Sequence, residues 1–241
     1  MAGSDGRWSV AFTSAQLPDD ELRGVTATVT ATDPAGNSST HVATFDIDTI
    51  APNTPTVIEA QDVAGALRGL TTVATTDIYT FHRIDATGAP ILLTTTKEYD
   101  PQYREDEFRF QNTTVPDGSY LVINTADAAG NDANTLFIKN TETGVDVVLS
   151  RQGLQNFDLS AIDLTRAPDA QLTISESQLL QLTGPDQTLL IKGESTDRVT
   201  LQGVTGVRDD VTINGAVYDI YTLGSHGATV LLEDDVTRVV G

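Results

Sequence analysis

Apolar and polar positions alternate with period two over most of this chain, and Gly, Pro, Asn and Asp interrupt the alternation every few residues. That pattern predicts half-buried β-strands joined by tight turns. Residues 24–32 alternate Val and Ala with Thr, and residues 41–48 alternate again. Further strands are expected near 56–59, 78–84, 91–95, 107–111, 119–126 and 135–138, followed by a run of short strands from 145 onward. One helix is expected. Ser175-Glu176-Ser177-Gln178 has the form of a capping box, Leu179, Leu180 and Leu182 supply an apolar face, and Gly184-Pro185 ends it. Asn214-Gly215 lies between two alternating runs and predicts a hairpin turn, because both residues accept positive φ. Asp85-Ala86-Thr87-Gly88 predicts another.

One phrase occurs twice. An alternating strand runs into Asp33-Pro34-Ala35-Gly36-Asn37, and a second runs into Asp127-Ala128-Ala129-Gly130-Asn131. Upstream, Trp8-Ser9-Val10-Ala11-Phe12 precedes the first copy as Phe108-Arg109-Phe110 precedes the second. The copies are separated by about the length of one β-sandwich module, which predicts a tandem array. The expected fold class is all-β, with Ig-like β-sandwich modules in tandem and a β-rich C-terminal domain carrying the short helix. Pro52 and Pro55 stiffen a linker between modules. Residues 1–50 read as the C-terminal half of an Ig-like module, 51–142 as a complete module, and 143–241 as a β-meander domain. Three strands with one apolar face cannot bury it alone. The alternative is that 1–50 packs with 145–241 as a split domain.

Charge narrows the function. The 241 residues carry a net charge of −20 and no cysteine. So acidic a chain is a poor partner for nucleic acid or an anionic membrane surface, both of which need Lys and Arg patches. No apolar run is long enough for a membrane helix, and no basic stretch followed by an apolar one predicts a cleavable secretion signal. Without disulfides, metal ions at module ends are a plausible source of constraint.

The carboxylates are the candidate chemistry. Asp33 and Asp127 end strands beside expected module junctions. Asp46 and Asp48 end the strand after Asp33, Asp62 begins the next module, and Asp146 follows the second copy. Hard oxygen ligands gathered in this way suit Ca²⁺, which takes six to eight. The competing reading is that Asp-x-Ala-Gly-Asn is only a good tight turn. Asp209-Asp210 and Glu233-Asp234-Asp235 read as solvated turns, with peripheral cation binding as the alternative. Tyr103 and Arg104 stand in a polar loop that could contact a ligand. His41, His82 and His226 are scattered without metal-ligand spacing, and no nucleophile elbow or phosphate loop occurs, so an enzyme is not expected.

Residues 5–55, from the Trp8 strand through Asp33–Asn37 to Asp48-Thr49-Ile50-Ala51-Pro52, resemble the closing half of the bacterial Ig-like repeats that fill giant secreted adhesins of Gram-negative bacteria. Residues 56–139 resemble a divergent copy without the Trp-Ser-Val strand or the closing Asp-Thr-x-x-Pro. Residues 147–238 are similar to a segment near the C-terminal end of type I secreted biofilm and RTX-type adhesins. The resemblance implies export without a cleaved signal, an extracellular place on a bacterial surface, calcium-stiffened modules, and a role in cell adhesion or biofilm formation. It implies that Asp33, Asp46 or Asp48, and Asp127 are junction calcium ligands. The expected partners are neighbouring modules of the same long chain and a host or biofilm surface ligand, the chain itself being a monomer. A ligand-binding module of such an adhesin, taking a peptide or carbohydrate, is the competing function.

Overall fold

The computed structural model describes residues 21–85, 89–184 and 187–241. The Trp8 strand, the turn tip 86–88 and Pro185 lie outside the described residues. By internal packing the chain divides into two units, residues 1–51 with the turn 127–131, and residues 52–126 with 132–241. All described regular structure is strand except one α-helix and a 3-10 turn at Leu154–Asn156.

In the first unit, β1 (Glu21–Thr32) and β2 (Ser38–Asp48) form an antiparallel pair, with a bulge between Leu22 and Val25. Thr30 faces Thr40 and Thr32 faces Ser38, each joined by a hydroxyl hydrogen bond. None of the residues of this pair is fully buried.

The second unit has three layers. The first is an antiparallel sheet in the order β3 (Val57–Val63), β4 (Ala66–Val73), β8 (Glu105–Phe110), β7 (Thr95–Asp100). The middle layer is a nine-stranded sheet. It runs β16 (Val204–Ile213), β17 (Ala216–Leu223), β18 (Ala228–Glu233), β14 (Thr188–Lys192), β12 (Leu159–Arg166), β10 (Asp132–Lys139), β9 (Tyr120–Ala126), β5 (Ile78–Ile84), β6 (Ile91–Leu93). The third layer is β11 (Asp146–Val147), β13 (Gln171–Ser175), β15 (Arg198–Gln202) and β19 (Thr237–Val240), every neighbour parallel. The helix α1 (Glu176–Leu182) follows β13 with Ser175 as its N-cap, and the capping box is present.

Parallel pairing joins β10 to β12, β12 to β14 and β14 to β18. The chain therefore passes from the middle layer to the third and back, repeatedly, as a flattened coil. A meander was expected over 143–241. Alternation reports which face a strand buries but not the direction of its neighbour, and this accounts for the difference. The β10–β12 pairing also carries one sheet across residue 142, where a module boundary was expected.

Two cores lie on opposite faces of the middle layer. Phe81, Leu121, Ile123 and Phe137 pack with Leu70, Phe108 and Phe110 of the first layer. Tyr120, Val122, Leu136 and Ile138 pack with Leu172, Ile174, Val199 and Leu201 of the third. Strands β9 and β10 are buried on both faces, which is why Tyr120–Ile123 and Leu136–Ile138 read as continuous apolar runs. The segment after β11 is tied to this body. Arg151 lies over the Tyr120 ring, 3.5 Å from its centroid, and donates to the Gly118 carbonyl. The Tyr120 hydroxyl in turn accepts from Val148 N at 2.6 Å.

Strand β4 was not expected, and Gly69 explains why it forms where it does. A Cβ at Gly69 would stand 2.3 Å from the Phe108 carbonyl oxygen, so only glycine lets β4 approach β8 this closely.

Candidate functional site

The repeated motif is a repeated turn. In each copy the aspartate Oδ1 accepts from the backbone N–H two residues on and from that of the asparagine. The distances are 2.9 and 2.9 Å for Asp33, and 2.8 and 2.9 Å for Asp127. Oδ2 accepts from the asparagine Nδ2 at 2.9 Å in both. Gly36 and Gly130 take φ of 89° and 95°, conformations open to glycine. The asparagine side chain and the turn N–H groups hold both carboxyls below the usual carboxylate range. This is what Asp-x-Ala-Gly-Asn builds locally, and it occupies both oxygens of each carboxylate.

Of the other expected calcium ligands, Asp46, Asp48 and Asp62 have protein partners. Asp46 accepts from Gly24 N at 2.8 Å, and Asp48 from Ile50 N at 3.1 Å. Asp62 pairs with Lys139 at 3.1 Å. Lys139 also donates to the Gly65 carbonyl at 2.8 Å, so Asp62 serves the β3–β4 turn. Asp146 is exposed on β11. Tyr103 is 65% exposed, and Arg104 has φ of 58° at the end of the β7–β8 turn, its carbonyl accepting from Ala74 N.

One convergent acidic group exists among the described residues, and it is made by other side chains. Ligand oxygens of Asp210, Asp219 and Asp234 lie within 4.8 Å of one another. None of Asp33, Asp46, Asp48, Asp62, Asp127 and Asp146 belongs to such a group among the described residues. A bulge between Arg208 and Val211 sets Asp210 opposite Asp219, and Asp234 N donates to the Val217 carbonyl beside them. Asp219 also accepts from the Tyr221 hydroxyl and faces Arg238 at 3.6 Å. Each contributes one converging carboxylate oxygen, a group that could hold a cation with water completing the shell. Asp209-Asp210 and Glu233-Asp234-Asp235 were read as separate turns; the Asn214-Gly215 hairpin brings Asp210 to Asp219, and the pairing of β17 with β18, which the sequence does not give, adds Asp234.

A second constellation is partly buried, Asp163 and Tyr218 fully and Lys192 and Glu233 in part. Asp163, Lys192, Glu233 and Tyr218 line a cavity of about 230 Å³, with Thr54, Pro55 and Asn214 at its walls. Asp163 is 3% exposed and accepts from Thr165 N at 3.0 Å. Glu233 accepts from Gly193 N at 3.0 Å. Burial pushes the Lys192 amine down from its ordinary value, against the pull of Asp163 and Glu233. Burial pushes the Glu233 carboxyl up, and pushes the Tyr218 hydroxyl up to about 12 with help from both acids. The signal available in the sequence was an ionisable residue at an inward position of an apolar strand, as in Leu189-Leu190-Ile191-Lys192.

His226 has a structural post. Its backbone N–H donates to Glu176 Oε1 at 2.6 Å, and its Nδ1 lies 3.1 Å from the same oxygen, so the first residue of α1 holds the β17–β18 turn. No protein-family model matches the chain, and no curated protein matches it. No helix among the described residues is long and apolar enough to cross a membrane.

Proposed function

We propose that this chain is a structural extender segment of a bacterial cell-surface adhesin, and that surface carboxylates bind Ca²⁺ to stiffen it. Its work is mechanical: it holds a binding region away from the cell. The observation that carries the reading is the three-layer body of residues 52–241, in which one nine-stranded sheet shares its two faces between an antiparallel sheet and a parallel coil. The β10–β12 ladder joins the strands before and after residue 142, so tension cannot part them there without breaking hydrogen bonds. The strongly acidic composition and the resemblance of residues 5–55 and 147–238 to secreted adhesins support the same reading.

Calcium enters through Asp210, Asp219 and Asp234. Three carboxylates this close repel one another, by about 4 kcal/mol per pair at 4 Å and intermediate dielectric, and a divalent cation reverses the sign. At free calcium ten times Kd, one site adds about 1.4 kcal/mol of stability. The test is thermal unfolding in millimolar calcium and then in excess chelator. A rise in Tm of several degrees, abolished by Asp219→Asn with Asp234→Asn, supports the site. An unchanged Tm removes calcium from the account.

A second reading, a ligand-binding module, is favoured by the polar cavity around Lys192. Saturable binding of a small polar ligand, lost in Lys192→Met, would support it.

A further inference from the structure

Across β12, β14, β18 and β17 the strand register sets Asp163, Lys192, Glu233 and Tyr218 side by side. Asp163 is opposite Lys192, and Glu233 is opposite Tyr218. Ile191 is opposite Leu232, which puts Glu233 level with Lys192. All four side chains line the cavity of about 230 Å³. The sheet face around them is apolar: Ala161, Leu190 and Tyr218 form a buried cluster, and Ile213 and Leu231 pack against it.

The row is short of partners. Tyr218 is 2% exposed, yet its hydroxyl makes no hydrogen bond among the described residues. Asp163 is 3% exposed, and both of its hydrogen bonds, from Thr165 N and Thr165 Oγ1, fall on Oδ1 and leave Oδ2 open. Glu233 accepts from Gly193 N with Oε2 and has Oε1 to spare. Lys192 Nζ donates only to the Pro55 carbonyl, over a long 3.4 Å. Buried polar atoms are nearly always hydrogen-bonded. Several unpartnered ones lining one void point to an occupant, and the void is several times the share of about 30 Å³ that one water takes.

The arrangement of charge decides the class of ligand. Lys192 has an acid on each side of it in the row. A ligand carboxylate or phosphate drawn to the amine meets Asp163 and Glu233, and a ligand ammonium drawn to either acid meets Lys192. An ion of either sign is therefore poorly compensated. A neutral group that both donates and accepts gains from every member of the row: it donates to Asp163 Oδ2 and Glu233 Oε1, and it accepts from Lys192 and the Tyr218 hydroxyl. Hydroxyl groups do both. Several hydroxyls on one compact frame, with C–H faces to lie on Val57, Ile213 and Ala216, describe a sugar ring. The volume falls below the roughly 300–1,000 Å³ of sites for drug-sized ligands, which limits the occupant to a single ring.

We propose that this cavity binds one neutral hexopyranose, free or at the end of a glycan, through Tyr218, Lys192 and Asp163. Asn214, exposed at the tip of the β16–β17 turn, lines the same cavity and adds an amide that can donate and accept. The proposal rests on the reading of the chain as a ligand-binding module, whose ligand class it supplies, and it does not require calcium.

The experiment is a ligand-observed NMR titration of the whole chain with D-glucose, D-galactose and D-mannose, and with glycine as a zwitterionic probe, repeated on Tyr218→Phe and Lys192→Met. The expected result is saturable binding of at least one hexose and none of glycine. Affinity should fall about tenfold in Tyr218→Phe, as for one lost hydrogen bond, and at least as far in Lys192→Met. Tyr218→Phe keeps the ring in its apolar cluster, and its hydroxyl has no protein partner to lose, so its thermal midpoint should be no lower than that of wild type. Binding of glycine without any hexose overturns the sugar assignment and leaves the ligand-binding reading standing. Binding of neither overturns both. A hexose that binds both variants as tightly as wild type lies elsewhere, and overturns this cavity as its site.

Discussion

Two hairpins in this chain end in the same five-residue turn and have opposite fates. The pair β1–β2 closes through Asp33–Asn37 and has no fully buried residue. The pair β9–β10 closes through Asp127–Asn131, with matching hydrogen bonds, and is buried on both faces. The turn fixes the hairpin. What lies along the strands decides how deep it sits: Val-Thr-Ala-Thr-Val-Thr in one, Tyr-Leu-Val-Ile and Thr-Leu-Phe-Ile in the other. A repeated motif thus marks a repeated local structure, and it leaves the surrounding architecture open.

The sharpest way to break this comparison is to remove the same residue type from each hairpin. Phe137→Ala, in the doubly buried strand β10, should cost about 3–5 kcal/mol. Phe45→Ala, on β2 and 39% exposed, should cost under about 1 kcal/mol. Equal losses in denaturant unfolding would mean that β1–β2 carries a core of its own.

The next effect belongs to the parallel coil. Asp197 is 1% exposed and accepts from Ala170 N and Glu194 N, both at 2.8 Å, while its carbonyl accepts from Thr237 N. One residue therefore ties three corners of the coil. Asp197→Ala leaves the buried Ala170 N–H without its partner and should cost about 1–3 kcal/mol. Gly69→Ala tests the antiparallel layer, where the added Cβ meets the Phe108 carbonyl; a loss of about 1–3 kcal/mol is expected. A neutral result there would mean that β4 and β8 separate easily.

The smallest effect is the acid sensitivity of the two turns. The depressed carboxyls of Asp33 and Asp127 add stability that is complete above the unfolded aspartate pKa of about 3.9, and it is lost as pH falls through the lower folded values. Asp127→Ala should lower Tm at pH 7 and flatten its fall between about pH 4 and pH 2. Asp33→Ala should do so only for whatever transition reports β1–β2. A pH profile of Asp127→Ala parallel to wild type would show that the turn contributes nothing through its charge.

The sequence revealed the elements better than their assembly. Ile78–Ile84, the capped helix and the Asn214-Gly215 turn are local, and local patterning predicts them. The turn between β3 and β4 escaped because Ala64, at φ 52°, stands where Asn or Asp usually signals it. The three layers escaped because one face of an alternating strand looks the same whether its neighbour runs parallel or antiparallel. Yet the continuous apolar runs of β9 and β10 were a readable sign that a second face needed covering. The acidic group of Asp210, Asp219 and Asp234 depends on a bulge and a hairpin register, and no spacing rule announces it.

The central proposal is that residues 52–126 and 132–241 form one body that calcium stiffens. The most direct measurement is single-molecule pulling between the chain ends, in millimolar calcium and in chelator. The account predicts that residues 52–241 give way in one cooperative event, at a higher force with calcium than without. Separate release of a segment ending near residue 142, or a rupture force indifferent to calcium, would contradict it.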